Sequence, residues 1–260
     1  MKHFPVANGK YEVAPGLRKL DFGTDKLFLV TDEYDEQLEA KTRYASQRTP
    51  VHIAKGADEA LIDDILIAAG GRFIEEHPEH PIILGRRLGM QVQEDLAIVQ
   101  EQGDSNRVIY LHVSFPNGWD PATRIGLDFA QVHEPVAHFE TMAANQNKIV
   151  KAMIEHGPYE RYAWGVHTVR ELDRFGKPDQ WEGCDLSDAV FRVERQMTWG
   201  FPEHRAALFT IHTMRTPLSD LESSQRRLVA EALRGMDERS RGYKGLTEAT
   251  IERLSDWLTA

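Results

Sequence analysis

Residues 110–136 read YLHVSFPNGWDPATRIGLDFAQVHEPV, from Tyr110 to Val136. The stretch opens as a strand with Leu111, Val113 and Phe115 on one face and Tyr110, His112 and Ser114 on the other. Pro116-Asn117-Gly118 is turn chemistry and ends it. Asp120 then caps a helix with Pro121 in its favoured first position, and Ile125, Leu127, Phe129 and Val132 supply the buried side. His133 follows, and Pro135 stops the helix. The chain thus leaves a sheet, turns, and delivers a histidine at the end of a helix expected to pack back over that sheet. An imidazole held there can ligate a metal or cofactor wedged between helix and sheet.

Outward from this segment, strands are expected at 95–99 and 108–115, forming a hairpin around Gln102–Asn106. Residues 120–156 read as helical, ending with one long helix from about Phe139 to Glu155. Strands follow at 161–168, 189–199 and 206–213, with a charged loop at 171–187 between the first two. Two strands, a helical crossover and three strands are the order of PAS-type sensor domains. The expected fold is therefore α+β: a PAS-like five-stranded antiparallel sheet over 91–213 within a single domain. Residues 1–90 read as a helical extension punctuated by Pro5, Pro15 and Gly16, with a short strand at 27–30 and helices at 32–44 and 58–76. Residues 214–260 read as two further helices.

A chain of 260 residues can bury roughly three quarters of its unfolded surface. Acidic residues outnumber basic ones, 41 to 31, which disfavours nucleic acid and anionic membranes as partners. No apolar run approaches the ~18 residues of a membrane span, and Met1 to Lys10 carries no apolar signal. Cytoplasm is the default compartment. The one cysteine, Cys184, cannot make an intrachain disulfide or hold an iron–sulfur cluster. Neither GxGxxG, GxxxxGK[ST] nor CxxCH occurs.

Several stretches carry a family resemblance. VSFPNGWDP (113–121), Val132-His133-Glu134-Pro135-Val136, RVERQ (192–196) and LFTIHT (208–213) resemble the alpha subunit of the haem-dependent oxidative N-demethylase family. GKYEVAPGLRKL (9–20), DEYDEQLEAK (32–41), QEDLAIV (93–99) and YKGL (243–246) fit the same pattern, in order along the chain. The resemblance implies a PAS-like haem domain with non-covalent haem b. It implies oxidation of a small methylated amine, such as dimethylamine, by O2. Electrons from NADPH would arrive through reductase or electron-transfer subunits. Ala137, Ala163-Trp164 and His212 depart from the family pattern, the last two at positions expected near the pocket.

Of eleven histidines, His133 is the leading axial ligand of iron, the alternative being a cationic cap on its helix C-terminus. His112, on the polar strand face, is the second candidate. His138, His52, His167 and His212 are weaker as ligands, although His212 can face the pocket. His3, His77, His80, His156 and His204 read as exposed. On the strand around 191–199, Phe191, Val193, Arg195 and Met197 share one face, and Arg192, Glu194, Gln196 and Thr198 the other. If the first face is buried, Arg195 needs an anion such as a haem propionate. If the second lines the pocket, Glu194 is the partner for an alkylammonium. A surface salt-bridged strand is the alternative to both. Arg124 is a further candidate for a propionate. A non-enzymatic haem PAS sensor of gas or redox state is the second function considered, and a metal-dependent hydrolase using His112, His133 and a carboxylate the third.

Overall fold

Every pairing in the sheet is antiparallel, and the register fixes which side chains share a face. The computed structural model describes residues 4–12 and 16–260. His3, read as exposed, and Pro15 lie outside the described residues. Among these residues the strands are β1 (Arg18–Lys19), β2 (Val51–Ile53), β3 (Asp95–Gln102), β4 (Ser105–His112), β5 (Tyr159–His167), β6 (Val190–Phe201) and β7 (Ala206–Pro217). They form one seven-stranded sheet in the order β1-β5-β6-β7-β3-β4-β2. The helices are α1 (Tyr34–Ala45), α2 (Glu59–Glu76), α3 (Phe129–His133), α4 (Phe139–Ala143), α5 (Gln146–His156), α6 (Ser223–Arg234), α7 (Glu238–Tyr243) and α8 (Glu248–Thr259).

The five expected strands are present and adjacent, but the sheet has seven. The additional edges, β1 and β2, come from the stretch read as helical, and their two and three residues are too short to show alternation. The strand expected at 27–30 does not form. Leu27 and Phe28 are buried, and their N–H groups donate to the Glu76 carboxylate at 2.8 and 2.9 Å rather than to a neighbouring strand. Likewise β4 stops at His112, because the Ser114 and Phe115 N–H groups turn onto the Asp95 carboxylate at 2.8 and 2.9 Å. Asp120 caps only a 3-10 turn, Pro121–Thr123, since Gly126 at φ +84° interrupts the path to α3. The long helix expected at 139–155 is split into α4 and α5, and the tail holds three helices, not two.

The sheet has two unlike faces. On one, Leu96, Ile98, Tyr110, Met197 and Leu208 pack against Ile62, Ile65, Leu66 and Phe73 of α2. Further along the same face, Trp164, Phe191 and Val193 meet Val229 and Leu233 of α6 and Leu254 of α8. The opposite face carries the crossover. Val99 and Ala207 pack under Val150 and Ile154 of α5 and Phe129 of α3, and Val108 and Leu111 under Ile125 and Val132. The middle of this crossover face is not sealed: Ala97, Ala163, Phe209 and Ile211 remain half-exposed. His77, expected to be exposed, is buried, its ring against Phe73 and its Nε2 3.1 Å from the Phe28 carbonyl.

Candidate functional site

The turn that presents His133 is built by side chains replacing missing backbone partners. The Asp128 carboxylate accepts the Gln131 N–H at 2.7 Å, and Gln131 Oε1 accepts the Asp128 N–H at 3.0 Å, a reciprocal capping box. Phe129 N–H donates to Asn106 Oδ1 at 2.7 Å, which ties α3 to β4. The His133 Nδ1–H donates to the Phe129 carbonyl at 2.7 Å, and its ring lies 4.5 Å from the Phe129 ring. That bond places the free lone pair on Nε2, which makes no hydrogen bond among the described residues. Burial pushes the His133 pKa down to about 4, helped by the nearby guanidinium groups of Arg161 and Arg124. The imidazole is therefore neutral at pH 7, as a ligand or a base must be, and not a cationic helix cap.

Beside it, a polar strip crosses the sheet. Glu194 pairs with Ala163 and Thr213, and Gln196 with Arg161 and Ile211, so all of these share the crossover face. Arg161 Nε donates to Gln196 Oε1 at 2.6 Å, and Gln196 Nε2 donates to Glu194 Oε2 at 3.1 Å. Arg192 Nε stands 3.4 Å from Glu194 Oε1, while its other nitrogens donate to the Leu172 and Phe115 carbonyls. Glu194 is half-buried, whereas Arg192 is fully buried. The small and apolar Ala97, Ala163, Phe209 and Ile211 thus form a floor with a neutral imidazole and a carboxylate on the same face, the composition of a small-molecule site.

Three further groups lie on this side. Arg161 uses only Nε. Lys244 reaches the outer edge of β5, its Nζ donating to the Trp164 carbonyl at 2.8 Å, and burial pushes its pKa down to about 8. His167, expected to be a minor histidine, donates from Nδ1 to Asp179 at 2.9 Å, and Asp179 also pairs with Arg174 at 2.7 Å. The alternation of β5 puts Arg161 on the right face, but only the register with Gln196 shows what it meets. Lys244 arrives from a distant helix and no local pattern announces it.

The remaining sequence candidates are not all brought to this place. Arg124 lies on the turn before α3, on the His133 side, with Nη1 3.5 Å from the Gln131 carbonyl. Arg195 lies on the α2 face, paired with His212 and Tyr162 in the register. It is buried, as the alternation predicted, yet its anion is Glu160 at 2.6 Å, with the Leu27 and Lys26 carbonyls filling its other donors. This corrects the expectation of a propionate there: a protein carboxylate already meets that charge. His212 also faces away from the crossover side, correcting its expected place near the pocket. Its Nδ1 is 3.5 Å from Glu94 Oε1, and both groups are buried. His112 is buried against Gly89, where a Cβ would come within 2.3 Å of its ring, and burial pushes its pKa down to about 3. Neither face around His112 is solvated, so it is a sealed core histidine without a hydrogen-bond partner.

Residues 75–251 match the family described as HODM_asu-like: haem-dependent oxidative N-demethylase, alpha subunit-like. No curated protein matches the chain. No helix among the described residues is long and apolar enough to cross a membrane.

Proposed function

Because the chain belongs to the haem-dependent oxidative N-demethylase, alpha subunit-like family, we propose that it is the haem-binding catalytic subunit of a cytoplasmic monooxygenase. It removes a methyl group from a small methylated amine such as dimethylamine. The single observation that carries this reading is His133: a neutral imidazole with Nδ1 fixed on the Phe129 carbonyl and Nε2 free, beside an unsealed apolar stretch of sheet. A non-covalent haem b asks the protein for that donor, for apolar surface, and for an open side. The order β5-β6-β7-β3-β4 in the sheet's interior supports a PAS-type way of holding a ligand against the crossover helices.

When bound, haem supplies the oxygen chemistry at the carbon beside nitrogen, which protein side chains cannot perform. His133 would hold the iron, its ring orientation set by the Nδ1 bond. Glu194 offers a counter-charge to the alkylammonium and can take its proton, exposing the nitrogen lone pair. Gln196 and Arg192 fix the orientation of that carboxylate. Electrons derived from NADPH come from partner subunits.

The test is the visible spectrum of the full chain reconstituted with haemin, where haem proteins show an intense band near ~400 nm. His133→Ala is expected to abolish haem retention or change the ferrous spectrum. An unaltered spectrum in that variant, with loss of haem from His112→Ala, would overturn the ligand assignment.

A further inference from the structure

The charges on the crossover face do not balance. Arg174 is paired with Asp179 at 2.7 Å and Arg192 with Glu194 at 3.4 Å. Arg161 and Lys244 have no carboxylate within ion-pairing distance among the described residues. Arg161 donates from Nε to Gln196, a neutral partner, and its two Nη nitrogens make no hydrogen bond there. Lys244 has one hydrogen-bond acceptor, the Trp164 carbonyl, for three donors, and its Nζ lies 5.2 Å from the centroid of the Tyr243 ring. Both cations are half-buried, and burial lowers the pKa of each. Arg124 is also half-buried, with Nη1 3.5 Å from the Gln131 carbonyl, but it lies on the turn before α3 rather than at β5. The Glu194 charge acts on both from beyond ion-pairing distance but is already paired with Arg192; a half-buried cation short of an anion is costly, so two of them on one half-open face point to a ligand that brings two negative groups.

We propose that Arg161 and Lys244 are the anchors for the two carboxylates of the group whose iron His133 ligates. The assignment rests on the haem reading above. It gives this ligand an orientation, with its carboxylate edge toward β5 and the Tyr243-Lys244 turn, and its apolar body over Ala97, Phe209 and Ile211. Glu194 then sits between the anchors' charges and the floor. Arg161 keeps its side chain extended through Gln196, which links the anchor to the carboxylate expected to meet the amine.

The test compares two probes on the full chain freed of haem: haemin and its dimethyl ester, which lacks the two negative charges. The wild-type chain is expected to bind haemin roughly tenfold or more tighter than the ester, about 1.4 kcal/mol. Arg161→Gln and Lys244→Gln should each weaken haemin binding by roughly tenfold and leave the ester nearly unaffected. Arg161→Lys, which keeps a charge, should recover part of the loss. Equal binding of haemin and ester by the wild-type chain overturns this assignment alone. So does an equal loss of both probes in the Gln variants, which would mark the cations as merely structural. Failure of the wild-type chain to bind either probe overturns the haem reading itself, and this assignment with it.

Discussion

In the proposed reaction, Glu194 is the residue expected to meet the charge of the amine. It is half-buried, and Gln196 and Arg192 hold both of its oxygens. Glu194→Gln keeps the size and removes the charge. It is expected to raise the apparent KM for the amine by roughly tenfold or more, about 1.4 kcal/mol, with the haem spectrum intact. Unchanged amine dependence would remove Glu194 from the site. His112 gives a pH prediction of the opposite kind, about the fold rather than the chemistry. Its folded pKa is pushed down to about 3 by burial, below the ordinary value near ~6.5. As pH falls below that value the unfolded chain takes up the proton first, so stability present above ~6.5 is lost down to about 3. His133 and His167, each pushed to about 4, act in the same direction. Urea unfolding is expected to weaken between pH 6.5 and 5, by at most about 1.4 kcal/mol per pH unit for each such histidine. The slope should be shallower in His112→Gln; an identical slope would show that His112 is not held neutral. The place of His133 at the end of α3 was legible because punctuating residues stand on both sides of it. Arg195 was half legible: alternation gave its burial, but Glu160, its partner, belongs to a strand 35 residues earlier.

At the scale of elements, the hairpin β3–β4, the capped α2 and the parity of β5, β6 and β7 follow from local pattern alone. Asp58 caps α2, accepting the Ala60 and Leu61 N–H groups. Elements whose backbone is satisfied by distant side chains were not legible, as at Leu27–Phe28 on Glu76 and Ser114–Phe115 on Asp95. The seat of α5 is a second such case. A Cβ on Gly200 would lie 2.0 Å from the Ile154 carbonyl oxygen and 2.7 Å from that of Met153. The C-terminal turn of α5 therefore rests directly on the backbone of β6, and neither side can yield by rotating a side chain. Gly200→Ala is expected to destabilise the chain by about 1–3 kcal/mol through overpacking. The denaturation midpoint should fall without a change in slope. A midpoint equal to that of the wild type would mean that α5 is not seated this closely on the sheet.

For the molecule as a whole, the sheet joins parts that the sequence presents as separate. β1 and β2 close the two edges from within the first ninety residues, and α6 and α8 share with α2 the task of covering one face. That leaves the crossover face as the side with unsealed apolar floor, and the redox reaction proposed there would need electrons from elsewhere. The chain contains neither GxGxxG nor GxxxxGK[ST], and its single thiol, Cys184, is far short of the roughly four thiolates that an iron–sulfur relay takes. In the structure the Cys184 sulfur lies 3.2 Å from the Arg253 guanidinium, beneath α8 rather than beside His133. Membership of an alpha subunit-like family fits a division of labour in which other subunits collect reducing equivalents from NADPH. The haem-loaded chain alone is therefore expected to show no steady NADPH oxidation with methylamines. A chemical reductant, or a partner reductase, should support formation of the demethylated amine. NADPH consumption by the isolated polypeptide, in proportion to demethylation, would place the whole electron path inside this chain and contradict the division.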